Sequence, residues 1–189
     1  MLDPAVARRV KLVGFDVDGV LTDGGILLGS LAGEPFEAKR FQVTDGVGVR
    51  LLRRAGLAVV FLSARRSPAS AARAKELEVD ELLEVGPTEK LRALEGVCAR
   101  REIVLGECAY VGDDLADIPV LGAVGLPIAV ANAAPEVKAV ARYVTTVPGG
   151  AGAARQVAEL LLQARGEWPA ALAQYSETAS GATRSSATR

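Results

Sequence analysis

Short apolar runs alternate with longer amphipathic segments along most of the chain. The apolar runs have the length of buried strands, and they lie at Val10–Asp16, Leu57–Leu62, Val79–Val85, Glu107–Val111, Gly125–Val130 and Tyr143–Val147. Helical segments are predicted at Gly46–Ala55, Ser67–Leu77, Pro87–Arg100, Leu115–Leu121, Pro135–Ala141 and Ala151–Ala164. Strands that alternate with helices in this way predict an α/β fold, a doubly wound parallel sheet with helices on both faces.

The stretch after the first strand has a different pattern. Residues 24–42 hold two short extended runs, Ile26–Leu28 and Phe36–Phe41, around a glycine-containing turn, which predicts a β-hairpin. This insert is too short for a cap domain, and so is the segment between Ser63 and Lys90. Because a lone hairpin is marginal in water, we expect its apolar residues to pack against other subunits.

Length and composition indicate one domain. Half of the 189 residues are hydrophobic, which is enough for an adequate core. We expect residues 1–165 to form this domain and residues 166–189 to form a flexible tail, because periodicity is lost after Gly166 and Gly181–Arg189 is rich in Ser, Ala, Thr and Arg.

Charge and residue usage exclude several function classes. The formal net charge of -1 gives no reason to expect nucleic acid or an anionic membrane as a partner. The chain has no histidine, which removes histidine-based triads and zinc sites. Cys98 and Cys108 lack metal-type spacing and are expected to be reduced thiols. With no signal-peptide core and no membrane-spanning stretch, we expect a cytoplasmic protein.

Two carboxylates end the first predicted strand. Asp16 and Asp18 form an Asp-x-Asp-Gly sequence where the backbone leaves the sheet. In an open parallel sheet this carboxyl edge is where ligands bind. Neighbouring carboxylates repel each other unless a cation or a shared proton compensates, and Mg²⁺ is a common choice beside phosphate. Taken alone, however, the stretch also fits a simple turn.

Polar residues mark three further points of the predicted sheet edge. They are Ser63 and Arg65 after the second strand, Lys90 early in a helix, and Asp113, Asp114 and Asp117 after a later strand. Such residues suit phosphoryl transfer. One carboxylate can attack phosphorus, a second can move protons, a hydroxyl and a lysine can hold phosphoryl oxygens, and a third carboxylate can complete a metal shell.

These residues resemble the four motifs of the haloacid dehalogenase superfamily of phosphatases. The matching positions are Asp16–Val20, Ser63, Lys90 and Gly112–Asp117. The resemblance implies that Asp16 is the nucleophile and Asp18 the general acid/base. It implies that Mg²⁺ binds Asp16, the backbone carbonyl of Asp18, and Asp113. It also implies that Ser63 and Lys90 bind the phosphoryl group, with Asp114 and Asp117 in support.

The chain is similar, from about Val10 to Arg165, to the capless 3-deoxy-D-manno-octulosonate 8-phosphate phosphatases of this superfamily. The stretches that carry this similarity are Gly19–Gly24, Phe41–Arg50, Gly112–Leu115 and Pro148–Arg155. The residues implied to contact substrate are Asp18, Gln42, Val43, Thr44, Asp45, Gly46, Arg50, Arg65, Arg73 and Lys90. The subgroup also implies a shared hub of hairpins, and we hypothesise a homotetramer whose substrate pocket is completed by a neighbouring subunit.

Departures from the subgroup leave alternatives open. Ser63-Ala64-Arg65 stands where relatives usually have Thr-Gly-Arg, and Ala151 stands where octulosonate phosphatases usually carry an arginine. A nonulosonate (KDN or sialic acid) 9-phosphate is therefore the alternative substrate. In another class, an Asp-phosphorylated receiver domain shares clustered aspartates, but its phosphoacceptor follows a middle strand. A catalytically silent assembly protein is a third reading, which the intact motifs do not support.

Overall fold

The computed structural model describes residues 2–175, and all the predicted strands form within them. The strands are β1 (Leu12–Asp16), β2 (Leu27–Leu31), β3 (Glu34–Ala38), β4 (Ala58–Ser63), β5 (Glu81–Glu84), β6 (Cys108–Gly112), β7 (Leu126–Ala129) and β8 (Tyr143–Val144). Six of them form one sheet in the order β5-β4-β1-β6-β7-β8, with every neighbouring pair parallel. The predicted α/β fold with a parallel sheet is confirmed.

Seven α-helices that begin and end within the described residues connect and flank the strands. They are α1 (Pro4–Arg9), α2 (Val43–Arg54), α3 (Pro68–Glu76), α4 (Lys90–Arg100), α5 (Ile118–Ala123), α6 (Pro135–Val140) and α7 (Ala153–Arg165). Helix α1 was not predicted. It begins after Asp3, whose side chain accepts the backbone N–H of Ala5 at 2.8 Å. No helix within residues 2–175 combines the length and the apolar character needed to cross a membrane.

Strand β1 is buried along its whole length because strands lie on both sides of it and helices cover the sheet. Phe15 of β1 packs edge-to-face on Phe61 of β4, with ring centroids 6.4 Å apart. Gly14 leaves room for the ring of Tyr110 in β6, since a Cβ at this glycine would lie 2.8 Å from that ring. The tight packing places the ends of β1 and β6 side by side.

The predicted hairpin forms as a separate two-stranded unit, β2 with β3. Its turn lies at Ala32-Gly33, where both residues have positive φ, as two-residue hairpin turns with matching twist require. The turn is therefore later and tighter than predicted, and Gly29–Leu31 belong to β2. A bridge between Thr22 and Phe41 closes the base of the hairpin.

Several predicted element boundaries shift by a few residues. Helix α2 begins at Val43, three residues earlier than predicted, and Gln42 caps it through its side chain. Helix α4 begins at Lys90 rather than Pro87, because Gly86 and Glu89 form a turn in which the Glu89 carboxylate accepts the N–H of Gly86 at 2.9 Å.

The first part of the expected flexible tail is packed instead. Residues 168–175 are helical, with Ala171 buried. The guanidinium of Arg155 lies 5.4 Å from the ring centroid of Trp168, and that of Arg54 lies 5.4 Å from that of Tyr175. The spacing of Trp168, Ala171 and Tyr175 is that of one helix face, a signal that could have predicted this helix. The rest of the expected tail lies outside the described residues.

Candidate active site

The chain leaves β1 through a tight turn that follows Asp16. Gly19 in this turn has φ +95°, and any side chain there would overlap the carboxylate of Asp113. The hydroxyl of Thr22 accepts the N–H of Gly19 at 3.3 Å and that of Gly24 at 3.1 Å. The turn is thereby held close to Asp113, which follows the neighbouring strand β6.

Three carboxylates and one lysine meet at this edge of the sheet. Asp16, Asp113 and Asp117 each offer an oxygen, and these atoms lie within 4.8 Å of one another. The Nζ of Lys90 donates to Asp16 Oδ1 at 2.6 Å and to Asp117 Oδ1 at 2.7 Å. One buried ammonium against three carboxylates leaves two formal negative charges, so the group is short of positive charge.

The pKa values of Asp16, Asp113 and Lys90 are all raised, as expected where negative charge exceeds positive charge. Burial raises the pKa of Asp16 well above its usual value, Asp117 raises it further, and Lys90 opposes both. Burial and the charge of Asp117 raise the pKa of Asp113 to about 6. Burial opposes the charge on Lys90, yet the carboxylates of Asp16 and Asp117 prevail and raise its pKa.

Both carboxylate oxygens of Asp117 accept two hydrogen bonds from groups of the protein. Its Oδ1 accepts from Lys90 and, at 2.7 Å, from the hydroxyl of Tyr110. Its Oδ2 accepts the backbone N–H of Asp113 at 3.0 Å and that of Asp114 at 3.4 Å. Tyr110 was missed by sequence reasoning, because a tyrosine inside a buried strand looks like an ordinary core residue.

The remaining oxygens fit a hard divalent cation. Asp113 Oδ1 is buried and has no hydrogen-bond partner, although buried polar atoms are normally paired. Asp16 and Asp113 end adjacent strands, carry only oxygen donors and need positive charge. This is the donor set that Mg²⁺ takes in proteins, so the residues fit the magnesium ion that the sequence implied.

Asp18 lies beside this cluster and has a different partner. The Nζ of Lys39 lies 2.7 Å from Asp18 Oδ1 and 2.9 Å from Asp18 Oδ2. Lys39 comes from the end of the hairpin and was not predicted as a site residue. Nothing in its sequence context separates it from a solvent-exposed charge on a hairpin.

Ser63 and Arg65 follow β4 on the other side of Asp16. The Ser63 hydroxyl donates to the Arg65 carbonyl at 2.8 Å, and the Arg65 guanidinium lies 2.6 Å from the Glu37 carboxylate. A cavity of about 280 Å³ opens between these loops, and its walls are Asp16, Asp18, Ala64, Arg65, Lys90, Asp113, Asp114, Ala116 and Asp117. The structure thus brings together most of the residues predicted for catalysis and metal binding.

The predicted substrate residues on α2 and α3, together with the residue before α2, lie outside this cavity wall. They are Gln42, Val43, Thr44, Asp45, Gly46, Arg50 and Arg73. Asp45 is buried, and its carboxylate accepts the N–H of Arg155 at 2.9 Å, at the start of α7. Burial raises the pKa of Asp45, and the backbone N–H groups of α7 oppose the shift. Arg73 donates to the carbonyl of Gln42 at 3.1 Å and so fixes the entry to α2.

Comparison with known proteins identifies the family. Residues 80–156 match the family model described as haloacid dehalogenase-like hydrolase. The 3-deoxy-D-manno-octulosonate 8-phosphate phosphatase of Yersinia pestis is 40% identical over 159 residues, which are 84% of this chain and 83% of that protein. The chain belongs to the haloacid dehalogenase superfamily. The enzyme of the same name from Escherichia coli K12 is also 40% identical, over 86% of this chain and 85% of its own length.

Solved structures of haloacid dehalogenase proteins superpose on most of the chain. The 3-deoxy-D-manno-octulosonate 8-phosphate phosphatase of Moraxella catarrhalis, in complex with a magnesium ion, a phosphate ion and KDO, matches with a TM-score of 0.86 and 38% identity. The match covers 91% of this chain and 97% of that one. A cobalt-bound phosphatase from Haemophilus influenzae matches with a TM-score of 0.77 and 34% identity, over 85% and 92%. These relatives are phosphatases, so they do not support the receiver-domain alternative.

Proposed function

We propose that this chain is a Mg²⁺-dependent phosphomonoester hydrolase that acts in the cytoplasm on 3-deoxy-D-manno-octulosonate 8-phosphate through an aspartyl-phosphate intermediate. The observation that carries this proposal is the buried cluster of Asp16, Lys90, Asp113 and Asp117, in which one lysine faces three carboxylates. Phosphatase relatives that are 40% identical over more than four fifths of the chain support the substrate.

We infer a role for each side chain from its position at this edge of the sheet. Asp16 ends β1 at the floor of the cavity, where its carboxylate can attack the phosphorus atom and release the sugar oxygen. Asp18 lies beside it, where it protonates the departing oxygen and then takes a proton from the water that cleaves the aspartyl phosphate. Lys90 supplies positive charge next to the nucleophile throughout. When bound by Asp16, the Asp18 carbonyl and Asp113, Mg²⁺ neutralises charge on the phosphoryl oxygens.

The predicted substrate residues divide into those that can contact the substrate and those that hold other residues in place. Arg65 lines the cavity and is held by Glu37, and we propose that it pairs with an anionic group of the substrate. Val43 and Thr44 are exposed at the start of α2, where they can contact the part of a substrate that extends beyond the cavity. The Asp45 carboxylate accepts a backbone N–H of α7, so we propose that Asp45 holds the start of α2 in place. We propose the same indirect role for Arg73, which binds the Gln42 carbonyl and Glu76.

A nonulosonate 9-phosphate is a second candidate substrate because of the loop before α7. This loop is pinned to the nucleophile turn by the N–H of Gly150, which donates to the carbonyl of Val20 at 3.0 Å. Ala151 is exposed in this loop, at the position where octulosonate phosphatases usually carry an arginine. A smaller side chain there leaves room for a longer sugar acid.

We also propose a homotetramer whose hairpins pack together and complete each pocket in trans. The hairpin exposes Leu27, Leu28, Leu31 and Phe36, and Leu28 is 77% exposed. Leu27, Leu31 and Phe36 share one face of the hairpin, because Phe36 is paired with Gly29, which lies between the two leucines on that face. Apolar surface of this kind marks interaction sites in soluble proteins. Because the base of the hairpin borders the cavity through Glu37 and Lys39, a neighbour bound to the hairpin would lie close to the substrate.

Phosphate release by the purified chain tests the proposed activity. We expect hydrolysis of 3-deoxy-D-manno-octulosonate 8-phosphate with Mg²⁺, none with EDTA, and slower hydrolysis of the nonulosonate 9-phosphate. Asp16→Asn should abolish turnover, because an amide is a very poor nucleophile toward phosphorus. Asp23→Asn changes an exposed aspartate of the same stretch and serves as the control. An Asp16→Asn enzyme with near wild-type activity would exclude this mechanism.

A further inference from the structure

Lys39 lies in an unusual position for a hairpin residue. Its side chain is 0% exposed, although the two strands of the hairpin are largely exposed. Its Nζ contacts both oxygens of Asp18 and lies 3.1 Å from the hydroxyl of Ser70 in α3. The ammonium is therefore enclosed between Asp18 and the body of the domain.

The base of the hairpin is clamped so that Lys39 is held in this position. The carboxylate of Glu37 binds Arg65 at 2.6 Å and accepts the hydroxyl of Ser67 at 2.5 Å. On the other side of Lys39, the bridge of Phe41 to Thr22 closes the base. Lys39 thus lies between two fixed points of the backbone.

Asp18 has no comparable support of its own. It lies in the irregular turn after β1, and its side chain is 24% exposed. A carboxylate in such a place can rotate toward solvent, and a proton donor that is misplaced by about 1 Å can lose on the order of 10²-fold in rate.

We propose that Lys39 is a positioning residue that holds the Asp18 carboxylate toward the leaving group of the substrate. This inference rests on the proposed phosphatase function, in which Asp18 is the general acid/base. Lys39 acts through Asp18 and not on the substrate, because an ammonium with no exposed surface cannot contact a bound solute. The hairpin then has a catalytic task within its own subunit, separate from any contact with a neighbour.

The leaving group of the substrate makes this role measurable. A sugar alkoxide needs a proton as it departs, whereas nitrophenolate departs without one. Removal of a positioned acid therefore slows phosphoryl transfer from a sugar phosphate much more than from p-nitrophenyl phosphate. Hydrolysis of the aspartyl phosphate needs Asp18 as a base with either substrate, so this second step slows for both.

Rapid-mixing kinetics of Lys39→Met with Mg²⁺ test the proposal. With p-nitrophenyl phosphate we expect a burst of nitrophenolate at about the wild-type rate, followed by slow turnover. With 3-deoxy-D-manno-octulosonate 8-phosphate, and also with glucose 6-phosphate, we expect single-turnover transfer to fall on the order of 10²-fold. Lys39→Arg should recover part of this loss, and Arg40→Met, which removes the exposed pair with Asp23, should match wild type.

Other outcomes overturn the proposal. Equal slowing of burst and single-turnover rates would indicate a general structural defect. A higher KM that is confined to the sugar acid would indicate direct substrate binding by Lys39. If Lys39→Met does not fold, Ser70→Ala is the second variant, because it removes one of the two hydrogen-bond partners of Lys39 without burying a charge. It should show the same difference between the two substrates, and an unchanged ratio of rates would reject the inference. Wild-type enzyme that hydrolyses neither substrate would instead reject the proposed function.

Discussion

The ammonium of Lys90 lies 2.6 Å from the carboxylate of Asp16, and the two residues are 74 positions apart in the chain. Both side chains are nearly inaccessible to solvent. A buried pair of this kind contributes little net stability as a whole, but removal of one partner leaves the other charge uncompensated. The pair therefore links the charge balance of the site to the stability of the fold.

Lys90→Met should abolish turnover and lower the free energy of unfolding by about 3–5 kcal/mol, because Asp16 and Asp117 would then face each other without a cation. Urea unfolding in EDTA measures the loss. Lys90→Met combined with Asp117→Asn should regain part of the stability but none of the activity. A fully stable single variant would contradict the charge balance described here.

Tyr110→Phe should destabilise the protein by about 1–3 kcal/mol, since Asp117 would lose a buried hydrogen bond to its charged carboxylate. We also expect a lower kcat, because Asp117 orients both Lys90 and the Asp113 backbone. Thermal melts and steady-state kinetics check both effects. Tyr143→Phe on the edge strand β8 is the matched control and should change neither quantity.

Mg²⁺ should raise the melting temperature more at about pH 7.5 than at about pH 5. The pKa of Asp113 is raised to about 6, so the folded protein binds this proton more tightly than the unfolded chain does. The protonated Asp113 carboxyl therefore stabilises the folded state relative to the ionised one. This stabilisation is fully present below the ordinary pKa of 3.8 and is lost as the pH rises through about 6. The metal binds the deprotonated carboxylate and offsets that loss.

Calorimetry with MgCl₂ or EDTA at both pH values measures this increment. Asp113→Asn removes one titrating ligand and should show a smaller increment that depends less on pH than that of the wild-type protein. An increment of equal size at both pH values in the wild-type protein would contradict the assignment of Asp113.

Leu27→Asp combined with Phe36→Asp places charges on the exposed apolar surface of the hairpin. We expect this double variant to be monomeric and to have a low kcat/KM for the sugar-acid substrate. Light scattering and kcat/KM check the two effects. Val104→Asp introduces the same charge at an exposed apolar position outside the hairpin and should remain tetrameric. A wild-type protein that is monomeric and fully active at assay concentration argues against assembly in trans.

The strand ends were predictable because their signals are local. Each apolar run stops at a polar residue, and the parallel arrangement of strands brings those ends to one edge of the sheet. This is how Asp16, Ser63 and Asp113 could be placed near one another before the fold was known. Lys90 followed from its motif.

The partners of those residues were not predictable, because they depend on packing between distant segments. Lys39 reaches Asp18 across 21 positions, and Tyr110 reaches Asp117 only because Gly14 makes space for its ring. Asp45 looked like a substrate residue within its motif, yet its carboxylate is bound to α7, 110 positions away. These three contacts form only in the folded chain, and the local sequence around each residue does not predict them.

The order of strands in the sheet has a consequence for how the protein matures. Strand β1 ends in Asp16, the proposed nucleophile. It pairs with β4 on one side and with β6, about a hundred residues later, on the other. During synthesis the first half of the chain emerges with one edge of β1 unpaired, and this edge is open to wrong pairing until Cys108–Gly112 arrives. Asp113 and Asp117 follow β6, so they can join Asp16 only after that strand has paired with β1, and the carboxylate cluster is completed late in synthesis.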